Sequence, residues 1–391
     1  MRSNNVLSNL SLPSVDAPEF RVDGTPQLEG LIPPGLILTV TGSGPIYYTV
    51  DGIDPREDGG TISPSAVMVS SGDPIPLSAG ALLKARVFSG GNWSALATGT
   101  FYVGPIASSS NLVVSELMYN PPGTSEDTEF IELLNIDSGN ALDLSGTRVT
   151  GIGYTFPLGT SLAAGERMVL VKDFAAFSAA YNTAGMIFAP GNYPSSLSND
   201  GEEIALIDPF GVDVQRFTYN DVAPWPTAPD GLGYTLVLMN PSDLPDHNLP
   251  QNWRSSVDLL GTPGGEDSET FTGNPDEDLD GDQLSALLEY AFGSVEGDGG
   301  FSPESQVIVG SGIFEGGQEY ATISYRRNLA ADDVLIEVEV SPDLEAWTDG
   351  SVVFVGSTPN GDGTEQMSFR ADQPIQTIPA QYVRVKVTLR E

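Results

Sequence analysis

The chain has 391 residues, of which 53 are acidic and 16 basic, and it carries one histidine and no cysteine. A formal net charge of −37 repels phosphate backbones and anionic membrane surfaces, so it argues against nucleic acid and lipid headgroups as direct partners. Without cysteine there are no disulfides, thiol nucleophiles or thiolate metal sites, and a single His247 rules out histidine metal clusters.

Hydrophobic residues make up 40% of the chain, enough for packed cores rather than disorder. The 44 glycines and 30 prolines fall between alternating apolar runs, the pattern of short strands joined by turns. The length suits two to four domains. Lys84, Lys172 and Lys386 are the only lysines, which suits a saline exterior and equally suits ordinary solubility. No stretch reaches the roughly 18 apolar residues of a membrane span. The segment Met1–Leu7 lacks the apolar core of a secretory signal. The expectation is the C-terminal part of a longer exported polypeptide, located outside the cell or on its surface.

Residues 1–18 read as a leader. Residues 19–104 read as a small β-sandwich, with strand-like runs Leu36–Val40, Ile46–Val50, Leu82–Phe88 and Thr98–Val103. The stretch Ile46-Tyr47-Tyr48-Thr49-Val50-Asp51-Gly52-Ile53-Asp54-Pro55-Arg56, followed by Lys84-Ala85-Arg86-Val87, resembles the C-terminal immunoglobulin-like domain of chitobiases and β-hexosaminidases. The resemblance implies an accessory domain and brings no catalytic residue.

A short linker follows, and residues 108–265 carry a second β pattern. Its landmarks are Leu112–Pro121, Glu129–Asn135, Leu142–Gly146, Leu162–Glu166, Leu197–Glu202, Asn252-Trp253-Arg254 and Gly261–Gly264. In that order they resemble the lamin tail domain, an immunoglobulin-like sandwich of nuclear lamins and bacterial exoproteins. Glu129 and Glu132 fall on that motif and are expected to make strand-edge hydrogen bonds. Phe174, Phe177 and Tyr181 share a face at helical spacing, which predicts a short helix there.

Residues 266–300 form an acidic linker holding one loop–helix unit. Asp278, Asp280, Asp282 and Glu289 occupy positions 1, 3, 5 and 12 of a twelve-residue loop, the ligand spacing of a calcium-binding EF-hand. Leu284, at position 7, ligates through its carbonyl, and Ser285 is placed to cap the following helix. The loop resembles dockerin and thrombospondin-type calcium loops. It departs from them at position 6, where Gln283 replaces glycine, and at position 9, where Ala286 offers no ligand. Residues 301–391 read as a third sandwich with runs Tyr320–Tyr325, Val334–Val340, Val352–Val355 and Gln381–Val387, and Glu337 and Glu339 facing outward. With Ser341–Trp347, it resembles the terminal β domain of some large bacterial exoproteins.

Catalytic constellations fare poorly. His247, in Pro245-Asp246-His247-Asn248, reads as a surface loop residue. Trp93, Trp225, Trp253 and Trp347 read as packing residues rather than sugar platforms. The whole is an all-β chain of three tandem immunoglobulin-like sandwiches, with one calcium-loop–helix unit between the second and third. The expected role is a monomeric, non-catalytic tether or interaction module whose partner is a cell-surface protein or a glycan, with Ca2+ stiffening 278–292 and fixing the angle between the second and third sandwiches. The alternative is a glycan-binding accessory region of a polysaccharide-degrading enzyme.

Overall fold

The computed structural model describes residues 13–294, 297, 301–377 and 382–390. Residues 1–12 of the expected leader, Gln381 at the head of the last expected strand and residues 295, 296 and 298–300 of the acidic unit lie outside the described residues.

The longer strands of the first sandwich are β1 (Glu19–Val22), β2 (Leu38–Thr41), β3 (Ile46–Thr49), β4 (Ala81–Ser89) and β5 (Ala97–Val103). Strict alternation in β4 buries Ala81, Leu83, Ala85 and Val87. β4 lies between β3 and β5 in one sheet, while β1 and β2 pair in the other. Phe20 and Val40 meet Ile46, Leu83, Val87 and Phe101 between them. The turn after β3 closes locally: the Ile53 N–H donates to Asp51 Oδ1 at 2.9 Å. Asp54 then takes two hydrogen bonds from the Arg86 guanidinium, at 2.8 and 2.7 Å. The two separated halves of that sequence motif therefore meet in space.

The second sandwich contains β6 (Leu112–Met118), β7 (Phe130–Asn135), β8 (Arg167–Val171), helix α1 (Phe174–Ala180), β9 (Glu203–Ile207), β10 (Asp213–Thr218), β11 (Leu236–Leu238) and β12 (Trp253–Ser255). One sheet runs β8-β7-β6-β11-β12, all antiparallel. The facing four-stranded sheet contains β9 and β10. Every residue of β6 and β7 is buried. Their inner face meets Ile204, Leu206 and Phe217 of the other sheet. Their outer face is covered as well, with Met118 and Phe130 packed under Phe177 of α1. Two covered faces explain why these strands read as apolar runs rather than clean alternation. Asp173 caps α1 by accepting from the Ala176 N–H at 2.9 Å.

The first and second sandwiches are tied through Asp143. Its Oδ2 accepts the Val103 N–H at 2.7 Å, and its own N–H donates to the Pro105 carbonyl at 3.0 Å. Tyr102 packs edge-on against Phe210 at 5.3 Å.

Helix α2 (Ala286–Phe292) leads into the third sandwich, whose strands are β13 (Val307–Ile313), β14 (Glu319–Asn328), β15 (Val334–Ser341), β16 (Val352–Pro359), β17 (Thr364–Pro374) and β18 (Tyr382–Leu389). Four form the sheet β13-β14-β17-β16, and β15 pairs with β18 as a two-stranded ribbon. Glu337 and Glu339 lie across from Lys386 and Arg384 and pair with them at 2.7 and 2.6 Å. Leu284 and Phe292 insert beside Ile323, Tyr325 and Val338, so the loop–helix unit is part of this domain's core.

The segment after residue 265, expected as a linker, is pinned along its length. The Glu269 N–H donates to the Ala330 carbonyl at 2.8 Å, and the Phe271 N–H to Asp333 Oδ2 at 2.7 Å. The central contact is Arg254 of β12, which is fully buried. Its Nε and Nη2 donate to the two carboxylate oxygens of Asp332 at 2.7 and 2.9 Å. Its Nη1 donates to Asp267 Oδ2 at 2.6 Å and to the Ser255 carbonyl at 3.1 Å, and Nη2 donates to the Asp267 carbonyl at 2.6 Å. All five guanidinium donors are used, on partners from the second sandwich, the connecting segment and the third sandwich. Arg254→Met leaves two buried carboxylates without their cation. The expected cost is about 3–5 kcal/mol, read by urea unfolding as separation of the second and third domains into two transitions. A loss under about 1 kcal/mol, the range of an exposed pair, would refute the lock.

Candidate metal centre and a sealed carboxylate cluster

The acidic loop curls as its ligand spacing requires. Asp278, Asp280 and Asp282 bring carboxylate oxygens within 4.8 Å of one another. Backbone donors hold each in place. Asp278 accepts the Gly281 and Gln283 N–H groups at 2.7 and 3.3 Å, Asp280 that of Asp282 at 3.2 Å, and Asp282 that of Leu284 at 2.8 Å. Gln283, where related loops carry glycine, takes φ 77°, a left-handed conformation costing roughly 1–2 kcal/mol for a residue with a Cβ. Leu284 is buried in the core, as position 7 permits, and Glu289 is buried in the first turn of α2. Ser285 stands at the N-cap, as expected, and its side chain makes no capping bond.

These residues fit a hard divalent cation. Three carboxylates crowded together repel one another. The second carboxylate oxygens of Asp280 and Asp282 are buried without a hydrogen-bond donor. An all-oxygen set of this kind suits calcium better than zinc.

Glu129 and Glu132 do accept hydrogen bonds, but they are sealed inside the domain and not at a strand edge. Glu129 Oε2 accepts the Leu197 N–H at 2.9 Å and the Tyr193 hydroxyl at 3.3 Å. Burial pushes its carboxyl up to about 7, against the pull of the Leu197 bond and Lys172. Glu132 lies across from Glu116 on β6. Glu132 accepts from Ser115 Oγ at 2.7 Å and from the Gly264 N–H at 2.5 Å. Glu116 accepts from Thr235 Oγ1 at 2.6 Å and the Thr262 N–H at 3.1 Å. Gly261 passes directly over Glu116 at φ 70°, where a Cβ would stand 1.9 Å from the carboxylate. This backbone lid closes the pair off from substrate. Its role is to bind the 261–264 turn to the sheet.

Other candidates also lie inside. His247 is buried, not a surface loop residue. Its Nδ1 is 3.1 Å from the Pro245 carbonyl, and its ring packs on Phe217 and Trp253. Burial depresses its pKa to about 4. Trp253 donates to the His247 carbonyl at 2.9 Å, and Trp225 is buried beside it. Trp93 packs on Phe88 and Tyr47, and Trp347 lies under the Arg384 guanidinium at 4.1 Å. The residues missed in the sequence are Glu116, Arg254, Asp267 and Asp332. Glu116 and Arg254 lie within the lamin-tail landmarks, and only their partners reveal their burial.

Burial, with the charge of Glu132 second, raises the Glu116 carboxyl well above its ordinary range, and burial raises Glu132 to about 7 despite Arg167. A carboxyl that holds its proton more tightly when folded stabilises the fold fully below its unfolded pKa of about 4.5, and that contribution fades as pH rises toward 7. Glu132→Gln should flatten the fall in unfolding free energy between those values. An unchanged slope in urea titrations across that range would count against the shifted pair.

No curated protein matches the chain. Residues 105–221 match the family model described as Lamin Tail Domain, which covers the second sandwich from its first strand through β10. β11 and β12, which complete the five-stranded sheet, lie beyond the match. The chain therefore contains a lamin tail domain, within an all-β architecture of immunoglobulin-like sandwiches.

Proposed function

We propose that this chain is a non-catalytic spacing and tethering region of a larger exported bacterial protein, working outside the cell or at its surface. The observation carrying this reading is that successive sandwiches are joined by polar locks, at Asp143 and at Arg254, instead of free linkers. Locked junctions hold partners on neighbouring domains at set positions, which a flexible linker does not. The immunoglobulin-like lamin tail domain is compatible with such a module. The carboxylates most like an acid–base pair, Glu116 and Glu132, are closed under the Gly261 turn, which counts against hydrolysis. Among the described residues no helix is long and apolar enough to cross a membrane.

Calcium has a defined place in this proposal. Arg254 sets the angle between the second and third sandwiches. Calcium at Asp278, Asp280 and Asp282, with the Leu284 carbonyl and Glu289 completing the set, orders the loop that delivers α2 into the third core. Binding then stabilises that domain by linkage. Calorimetric titration with CaCl2 should show one site with a Kd of roughly 10⁻⁴–10⁻³ M, the range of extracellular calcium modules. Asp280→Asn should abolish it, and calcium should slow proteolysis within 276–284. Absence of both heat and protection in the unaltered chain would sink the calcium assignment.

The glycan-binding alternative rests on the chitobiase-like resemblance of the first sandwich. It requires retention on insoluble chitin, cellulose or peptidoglycan. The spacer reading expects none, with calcium or with chelator.

A further inference from the structure

The third sandwich divides its strands unequally, four against two. A two-stranded ribbon cannot cover the inner face of a four-stranded sheet. The ribbon meets the sheet at β14 and at β16. Phe354, Met367 and Phe369 on the sheet face toward the second sandwich are only partly buried. Loops of the lamin tail domain, at Pro224–Pro226 and Pro250–Trp253, roof the remaining space without filling it. The result is a cavity of about 480 Å³ at the junction of the two domains. Protein interiors seldom leave spaces larger than a few water molecules, whereas ligand sites commonly measure about 300–1,000 Å³.

The lining is chemically specific. Tyr325 and Phe369 form parallel aromatic walls, with ring centres 5.9 Å apart and planes 4° from parallel. Glu365 lies across from Arg327 on neighbouring strands and forms an ion pair with it. Glu365 is 1% exposed and sealed behind the lining, its buried charge compensated by Arg327. Asp332, also on the lining, is committed to Arg254. Arg390 is exposed on the lining and offers a cation to an acidic group on a ligand.

We propose that this cavity binds a small flat aromatic ligand that places an acidic group against Arg390. The aromatic body lies along Tyr325, Phe369 and Met367. The site depends on both domains, because the lamin tail loops form its roof. It is independent of calcium and of the spacing role.

The test uses the full chain and 1-anilinonaphthalene-8-sulfonate, which has an aromatic body and an acidic group. Titration should show one saturable site by fluorescence. Ser357→Trp, which fills the cavity from β16, should raise Kd at least about tenfold, consistent with loss of a filled pocket. Arg390→Ala should raise Kd about threefold and remove its dependence on salt. Near-ultraviolet circular dichroism of each variant confirms native packing. The proposal is overturned if the unaltered chain shows no saturable binding. It is overturned equally if a natively packed Ser357→Trp binds as tightly as the parent. An Arg390→Ala chain with unchanged affinity and salt dependence removes the acidic group from the ligand's description and refutes the proposal as stated.

Discussion

One buried guanidinium organises the second half of this molecule. Arg254 takes its charge out of water, which costs several kcal/mol unless every donor is satisfied. Here all five are, by Asp332, Asp267 and two backbone carbonyls. The partners come from three successive stretches of chain, so the second sandwich, the connecting segment and the third sandwich share one contact. The adjacent Asp333 extends it. Asp333 receives the Tyr290 hydroxyl of α2 at 2.9 Å and the Phe271 N–H at 2.7 Å. Two consecutive aspartates thus face opposite ways, one toward the lamin tail domain and one toward the acidic loop–helix unit.

The acidic composition reads differently once burial is known. Most of the 53 carboxylates keep the surface charged, but a small set is structural. Glu116 and Glu132 fasten the 261–264 turn, Glu129 fastens the turn at Leu197, and Asp143 fastens the first junction. Each accepts backbone N–H groups that a loop crossing a sheet would otherwise leave unpaired. In a chain without disulfides, these internal acceptors and the Arg254 network hold the long connections. The loop at 278–283 uses the same side-chain-to-backbone bonds, yet it leaves two carboxylate oxygens without donors. The convergence of three carboxylates within 4.8 Å separates this candidate cation site from the sealed structural acids.

Much of the architecture was legible beforehand. Period-two alternation in Ala81–Ser89 and Val334–Val340, helical spacing at Phe174, Phe177 and Tyr181, and turn residues at Asp51-Gly52 all report local physics that the chain obeys. The spacing of the acidic loop is equally local, and Asp278, Asp280 and Asp282 stand together. Ser285 holds the N-cap position that its residue type favours, although its side chain makes no capping bond. His247 was misjudged because a polar, proline-rich run usually lies on the surface. Its environment is set by Phe217 and Trp253, distant in sequence or direction.

Sequence by itself determined the element types, the three β units, the lamin tail signature and the ligand spacing of the acidic loop. These depend on residues within a turn or a strand of one another. Tertiary structure alone decided which charges are buried, how the sandwiches are locked and where a cavity opens. Arg254 meets Asp332 across 78 positions, and the cavity is lined by residues of both sandwiches. Burial and pairing are properties of the neighbours that folding brings together, and local pattern carries no record of them.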